Sequence, residues 1–349
     1  MDLKKSNIIL YDTVIRKALE RLSEMGENLT LFIIDNNESL IGVLTDGDIR
    51  RGLVRGISLE GFVTEIMNKT FFSIEEEKLS YKSIKKLKES SARIIPVTDD
   101  LNRIIRFINL EKIRDVLPLD VVILAGGRGT RLMPLTKDIP KPMLEVSGTP
   151  ILEHNIDLLI RYGITTVNIS VNHLKDKIKE YFLNGSKKDI EISYIEENQP
   201  LGTLGSINLI KDSKYSDLLI INSDILTNID LTDFFISFKE SKAEMSIATT
   251  SYNVNVPYAV LETLNGKVTS MKEKPSYTYF SNAGIYLIKK RLLKEIPKDQ
   301  FYNATDLIDK LINERRLVIT YKILGYWLDI GKHEDYIKAN QDFRHIKFK

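Results

Sequence analysis

The chain has 349 residues, 43% of them hydrophobic, enough to bury a sizeable core and long enough to favour two domains over one. Lysine and arginine number 50 against 48 for aspartate and glutamate, so the formal charge of +2 offers no field that would gather nucleic acid or an anionic membrane. The absence of cysteine excludes disulfides, a thiol nucleophile and a thiolate zinc site, and no apolar run reaches the roughly eighteen residues of a membrane-spanning helix.

The N-terminus MDLKKSNIILYD is apolar only at Ile8, Ile9 and Leu10, too short for a secretory leader, and a cytoplasmic location is expected. Val14, Ile15, Ala18, Leu19, Leu22 and Met25 then make a helical stripe. A shift of 64 residues lays Ile34, Asp35, Leu40, Ile41, Val43, Leu44, Ile49 and Arg50 over Thr98, Asp99, Ile104, Ile105, Phe107, Ile108, Ile113 and Arg114. Each copy reads as a strand, a polar turn, a second strand and a helix start, so the first third is a small α/β module used twice. Lys82, Lys85, Lys86 and Lys88 read as the solvated face of a helix whose buried side is Ile84 and Leu87, since no aromatic platform accompanies them. Pro118 ends any helix begun near Arg114, which sets the expected domains at 1–118 and 119–349.

The stretch Leu40 to Arg50, LIGVLTDGDIR, resembles the core of a cystathionine-β-synthase (CBS) domain, a module that occurs in pairs and often binds an adenine nucleotide. The resemblance implies that the hydroxyl of Thr45 faces phosphate and the carboxylate of Asp48 the ribose hydroxyls. The second copy has Asn109 and Lys112 at those places, and a cation cannot accept ribose hydrogen bonds, so at most one good nucleoside site is expected. The alternative is that Asp46 or Asp48 caps a helix begun by Ile49 and the pair serves assembly alone.

From Val121 to Leu124 an apolar run suits a strand buried on both faces, and it breaks at once into Gly126, Gly127 and Gly129. Such a turn lets backbone N–H groups approach a polyphosphate, and Arg128, Arg131, Lys137 and Lys141 supply positive charge. The P-loop pattern is absent, because neither Lys-Ser nor Lys-Thr follows a glycine at its spacing, and the dinucleotide fingerprint lacks its third glycine. Leu124-Ala125-Gly126-Gly127-Arg128-Gly129-Thr130-Arg131, followed by Pro140-Lys141-Pro142, instead resembles the signature of the sugar-1-phosphate nucleotidyltransferases. That resemblance implies a Rossmann-like, mixed and mostly parallel sheet, and a nucleotide held by Leu124, Ala125, Gly126, Gly127, Gly129, Thr130, Arg131 and Lys141.

Further on, strands and helices alternate, and in such sheets ligands bind beyond the carboxyl ends of strands. Pro150 suits the first position of a helix ending near Gly163; strands follow at Thr166–Val171 and Ile190–Ile195, with a helix from Leu174 to Leu183 between them. Pro200-Leu201-Gly202-Thr203 resembles the family's P-L-G-T element, which implies that Gly202 lies against the base. Asp224 ends the apolar run Leu218 to Ile221, where a carboxylate is costly unless it caps a helix or meets a cation. Asp224 and Asp329, the latter in Trp327-Leu328-Asp329-Ile330-Gly331, match the family's metal-binding aspartates, and Mg2+ is the expected cation because it prefers hard oxygen ligands. Glu273-Lys274-Pro275 and Asn282-Ala283-Gly284 resemble its sugar-phosphate elements, implying contacts from Glu273, Lys274, Asn282 and Gly284. Lys332 and His333 depart from the T-P often seen after D-x-G, and the four histidines show neither ligand spacing nor the company of a triad.

The implied reaction transfers a nucleoside monophosphate from an NTP to a sugar 1-phosphate with loss of pyrophosphate. The attacking oxygen is already anionic, so positioning and charge neutralisation suffice, with Arg131, Lys141, Asp224 and Asp329 as catalytic residues. A transferase behind a CBS pair is most similar to guanylyltransferases acting on mannose-, heptose- or glucosamine-1-phosphate in bacterial surface-glycan or nonulosonic acid synthesis, and GTP is favoured. Uridylyl, cytidylyl, thymidylyl and adenylyl relatives share every motif quoted. A non-catalytic nucleotide sensor is the alternative of another class. Neither nucleic acid nor membrane is expected as a partner; a homo-oligomer is.

Overall fold

The computed structural model describes residues 6–25, 30–90, 92–197, 199–210 and 214–346. The chain divides into two units, Met1–Val116 and Leu117–Lys349, two residues ahead of the boundary expected at Pro118. No helix among the described residues is long and apolar enough to cross a membrane.

The first unit contains β1 (Ile8–Leu10), α1 (Ile15–Glu24), β2 (Thr30–Ile34), β3 (Leu40–Thr45), α2 (Asp46–Val54), β4 (Ile74–Glu75), α3 (Tyr81–Lys88), β5 (Ile94–Thr98) and β6 (Ile104–Asn109). Two three-stranded sheets, β1-β2-β3 and β4-β5-β6, each combine a parallel pair with an antiparallel hairpin. The repeat extends to the irregularities: the register shifts between Ile33 and Ile34 in one hairpin and between Val97 and Thr98 in the other. In the first turn Asp35 Oδ1 accepts the N–H groups of Asn37 and Ser39, and in the second Asp99 Oδ1 accepts those of Leu101 and Arg103. The four lysines of α3 are exposed while Ile84 and Leu87 are buried.

Two local expectations change. Helix α2 starts at Asp46 rather than Ile49, because Thr45 is its N-cap and Asp48 closes a capping box with it. Past β6 there is only a turn, in which Lys112 and Ile113 donate to the Asn109 carbonyl. Lys112 stands where Asp48 does in the first copy and has no acceptor with which to close the equivalent box.

The second unit contains β7 (Asp120–Ala125), α4 (Ile151–Arg161), β8 (Thr166–Val171), α5 (Lys175–Phe182), β9 (Glu191–Glu196), β10 (Asp217–Asn222), β11 (Ile225–Thr227), α6 (Leu231–Ser241), β12 (Met245–Asn255), β13 (Val260–Leu264), β14 (Lys267–Lys272), β15 (Ser276–Lys289), α7 (Ala304–Asn313), β16 (Val318–Lys322), β17 (Trp327–Asp329) and α8 (His333–Asp342). Pro150 sits just outside α4, as its extended N-cap, and Gly163 follows the helix with φ +69°.

Seven strands form one sheet in the order β9-β8-β7-β10-β15-β12-β16. The first four are mutually parallel, β15 is antiparallel to both neighbours and β16 is parallel to β12. Val121, Val122 and Ile123 are fully buried, as a strand covered on both faces requires, and Ile220 and Leu218 pack with Leu204, Ile207, Leu307 and Leu311 on one side of it. The chain runs outward from β7 to β8 and β9, then returns to place β10 on the other side of β7. This reversal is the topological switch point at which α/β sheets bind ligands, and the glycine loop follows β7 there.

Candidate functional site

The end of β7 feeds the glycine turn and the end of β10 feeds Asp224, side by side: Asn222 pairs with Leu124, and Ser223 N donates to Leu124 O. Between them lies a cavity of about 310 Å³, lined by Gly126, Gly127, Lys141, Glu197, Gly202, Thr203, Asn222, Asp224, Phe301 and Asn303, among others. A larger cleft of about 720 Å³ sits at the amino ends of β7 and β8, away from the motifs, and is lined by Asp120, Thr166 and Glu191 among others.

Gly129 has φ +62°, and a Cβ there would lie 2.9 Å from the Lys141 Cβ, so only glycine lets the loop cross this lysine. Lys141 is 8% exposed. Its ammonium makes an ion pair with Asp224 and lies 3.8 Å from Asp329 Oδ1. The two aspartates meet because β11 pairs antiparallel with β17, Ile225 opposite Asp329, and Ile330 N donates to the Asp224 carbonyl. Arg131 reaches the same place from the turn after the glycines, its guanidinium 3.5 Å from where a Cβ on Gly331 would stand.

Asp329 is the least satisfied member of this group. Its Oδ1 is shut off from solvent and accepts no hydrogen bond among the described residues, although 43% of the side chain as a whole is exposed. Burial first, and the neighbouring Asp224 second, push its carboxyl above the ordinary aspartate range; Lys141 and Arg131 oppose this without winning. Among the described residues no set of three metal-ligating side chains gathers, so Asp224 and Asp329 form a pair. Two hard carboxylates with one orphaned oxygen suit Mg2+, which binds one or two protein carboxylates and takes its other ligands from phosphates and water.

The remaining expected residues fall into two groups. Gly202, with φ +74°, sits on a loop clamped by the segment before α7: Leu204 N and Gly205 N both donate to Tyr302 O, Tyr302 N to Leu201 O, and Ala304 N to Thr203 Oγ1. Gly284, with φ +70°, packs against the Asn222 side chain, and Asn282 Oδ1 accepts its N–H, which joins this element to the end of β10. By contrast Glu273 and Lys274 are exposed on the connection from β14 to β15, outside the cavity lining, and Lys274 has φ +42°. Sequence reasoning gave no role to Glu197, Phe301 or Asn303. Glu197 was visible only as one of two adjacent acids, while Phe301 and Asn303 lie about a hundred residues from the loop they wall in. The indole N–H of Trp327 donates to Ala283 O, which holds β17 against the same element.

Comparison with known proteins fits this arrangement. Mannose-1-phosphate guanyltransferase of Schizosaccharomyces pombe is 29% identical over 231 residues, 63% of this chain and 62% of that protein. UTP--glucose-1-phosphate uridylyltransferase of Synechocystis is 30% identical over 241 residues, 63% of this chain and 62% of that protein. The chain therefore spans less than two thirds of the length of these curated relatives. Among solved structures, HddC from Yersinia pseudotuberculosis is 32% identical, with a TM-score of 0.52 covering 64% of this chain and 99% of that one, and its complex with GMP-PN matches at 0.50. A family model for the CBS domain matches residues 5–55. The model for nucleotidyl transferases matches residues 120–345, well over half of the sequence and all of the sheet that carries the site, and the chain belongs to that family.

Proposed function

We propose that the protein transfers a nucleoside monophosphate from an NTP to a sugar 1-phosphate, releasing pyrophosphate. The observation that carries this reading is the convergence of Lys141, Asp224 and Asp329 beside the glycine turn at the switch point, where two anions can be held within reacting distance. Backbone N–H groups of the Gly126 to Gly129 turn cradle the triphosphate, Arg131 neutralises the α-phosphate and the leaving pyrophosphate, and Lys141 holds the α-phosphate side. Asp224 and Asp329 hold Mg2+, which when bound supplies charge neutralisation to the phosphates of both reactants. Asn282, Gly284 and Glu273 receive the sugar, and Lys274 its phosphate, the last two from the β14 to β15 connection.

GTP is the favoured nucleotide, supported by the guanyltransferase relatives and by the GMP-PN complex of HddC. The uridylyltransferase relative keeps UTP as the alternative. A role in bacterial surface-glycan precursor synthesis, a cytoplasmic location and a homo-oligomeric state complete the reading. Residues 1–118 act as a CBS pair, regulatory or assembling, with an adenine nucleotide at Thr45 and Asp48. A pyrophosphate-release screen of five nucleoside triphosphates against mannose-, heptose-, glucosamine- and glucose-1-phosphate with Mg2+ tests activity, base and sugar together. No release in any pairing would overturn the enzymatic reading in favour of a nucleotide sensor.

A further inference from the structure

Arg131 is exposed and makes no hydrogen bond or ion pair among the described residues, so its aim comes from the backbone that carries it. That backbone is the single turn Thr130–Leu132, anchored on its inner side by Leu132, which is 0% exposed and packs with Leu144, Val146, Ile330 and Ala339. Leu132 N donates to Gly129 O at 2.9 Å, but the next such bond, from Met133 N to Thr130 O, is stretched to 3.3 Å. Beyond it the chain swings outward, with Met133 50% and Leu135 37% exposed. An apolar anchor on one side of the arginine leaves the outer side to be held by something else.

His333 holds it. Its Nε2 lies 2.8 Å from Met133 O, across 200 residues of sequence. A carbonyl only accepts, so Nε2 carries a proton and donates, and the bond persists whether or not Nδ1 is protonated as well. His333 opens α8, where Lys332 N donates to Asp335 Oδ2 at 2.8 Å and fixes the first turn of the helix. Asp329 ends β17 just ahead of this corner, and Arg131 Nη1 and Asp335 Oδ2 stand 3.5 and 3.6 Å from the point that a Cβ on Gly331 would occupy. One corner thus carries a carboxylate of the charge cluster directly and, through His333, fixes the turn that carries the cation. Lys332 and His333 are also where the sequence departs from T-P, and a proline at 333 would have no side-chain donor to offer.

We infer that His333 is a positioning residue for nucleotidyl transfer: its hydrogen bond to Met133 O holds the turn that aims Arg131 at the departing phosphates. The inference rests on the reading of the cavity as the reacting site of a nucleoside triphosphate. Negative charge on pyrophosphate grows as it leaves, so the aim of Arg131 matters more in the transition state than in the bound triphosphate. The test uses the full-length protein with Mg2+ and the triphosphate and sugar 1-phosphate that the release screen finds fastest. His333→Ala and His333→Phe lack the donor and are expected to lower kcat about five- to tenfold, the weight of one hydrogen bond, with KM for the triphosphate within about twofold of the wild type. His333→Gln, whose amide N–H reaches about as far as Nε2, should keep kcat within about twofold and leave the pH profile of kcat unchanged. A histidine acting as acid or base would lose a limb of that profile. In an Arg131→Met background, read by single-turnover rates, His333→Ala should slow the reaction less than about twofold further, because its effect runs through the arginine. A His333→Ala that keeps the wild-type kcat or changes KM alone, a His333→Gln as slow as His333→Ala, or an effect undiminished in Arg131→Met overturns the inference and leaves nucleotidyl transfer standing. A wild type that releases no pyrophosphate overturns both.

Discussion

Strand β10 has an aspartate at its start and another just past its end, and the two are handled in opposite ways. Asp217 is 1% exposed and saturated: Lys239 lies 2.7 Å from one carboxylate oxygen, Lys289 2.8 Å from the other, and the Ser216 hydroxyl adds a third donor. Burial alone would raise its carboxyl, but the two ammonium groups outweigh burial and hold it below the usual range. Asp224 shares one lysine with a second carboxylate, and that partner, Asp329, keeps an oxygen with no donor among the described residues and a raised carboxyl. Saturation marks an acid that completes the fold. A deficit of donors, maintained by strand pairing that forces like charges together, is what the proposed metal role of Asp224 and Asp329 requires.

The sharpest way to break this contrast is Asp224→Asn. Losing one electrostatic group of the reacting site should slow pyrophosphate release on the order of a hundred- to a thousandfold. Far-UV circular dichroism should stay unchanged. A full-rate, Mg2+-dependent variant would remove the cluster from the chemistry. Asp217→Asn should do the reverse, costing about 3 kcal/mol by leaving two lysines without their carboxylate, with turnover of the folded fraction retained. Its carboxyl is depressed in the fold, so its stabilisation is present above the ordinary aspartate value and is lost as pH falls through the lowered one. Acid titration of the melting temperature should therefore be flatter in Asp217→Asn than in the wild type, and equal slopes would refute the assignment.

Asp329 carries the opposite sign. A carboxyl raised by folding favours the folded state while protonated and loses that contribution as pH rises through the raised value. At neutral pH, Asp329→Asn should accordingly melt at or above the wild-type temperature while releasing pyrophosphate about a hundredfold more slowly, a trade of stability for function. A variant that is both slower and less stable would show that Asp329 is structural, like Asp217.

Sequence legibility follows the same division. The glycine turn, the P-L-G-T loop and both aspartates were readable because fixed residue types recur at fixed spacings, and the 64-residue repeat was readable down to the turn aspartates, Asp35 and Asp99. The difference between Asp217 and Asp224 was not readable. Each flanks the same apolar run, and what separates them is which lysines arrive: Lys239 and Lys289 at one end, Lys141 at the other. Such partners are set by strand order and not by local pattern. The clamp formed by Tyr302 and Asn303 was hidden for the same reason, and the missing helix after β6 turned on one acceptor absent at Lys112.

By the criterion of saturation, Asp48 in the first unit stands nearer to Asp217 than to Asp224. Its Oδ2 accepts from Thr45 N at 2.8 Å and lies 2.6 Å from the Thr45 hydroxyl, while Arg51 reaches Oδ1 at 2.7 Å. About one acceptor site is left for a ribose hydroxyl, so an adenine nucleotide bound there must share the carboxylate with the capping box. Thr45→Ala should thus cost about 1 kcal/mol in the unfolding of the first unit, the ordinary loss of an N-cap, and leave pyrophosphate release untouched. AMP at ten times its dissociation constant should stabilise that unit by roughly 1.4 kcal/mol in the wild type, and the shift should vanish in Asp48→Ala measured against its own ligand-free melting temperature. If Asp48→Ala responds to AMP as fully as the wild type, Asp48 is a helix cap and nothing more, and a saturated carboxylate again marks an acid that only completes the fold.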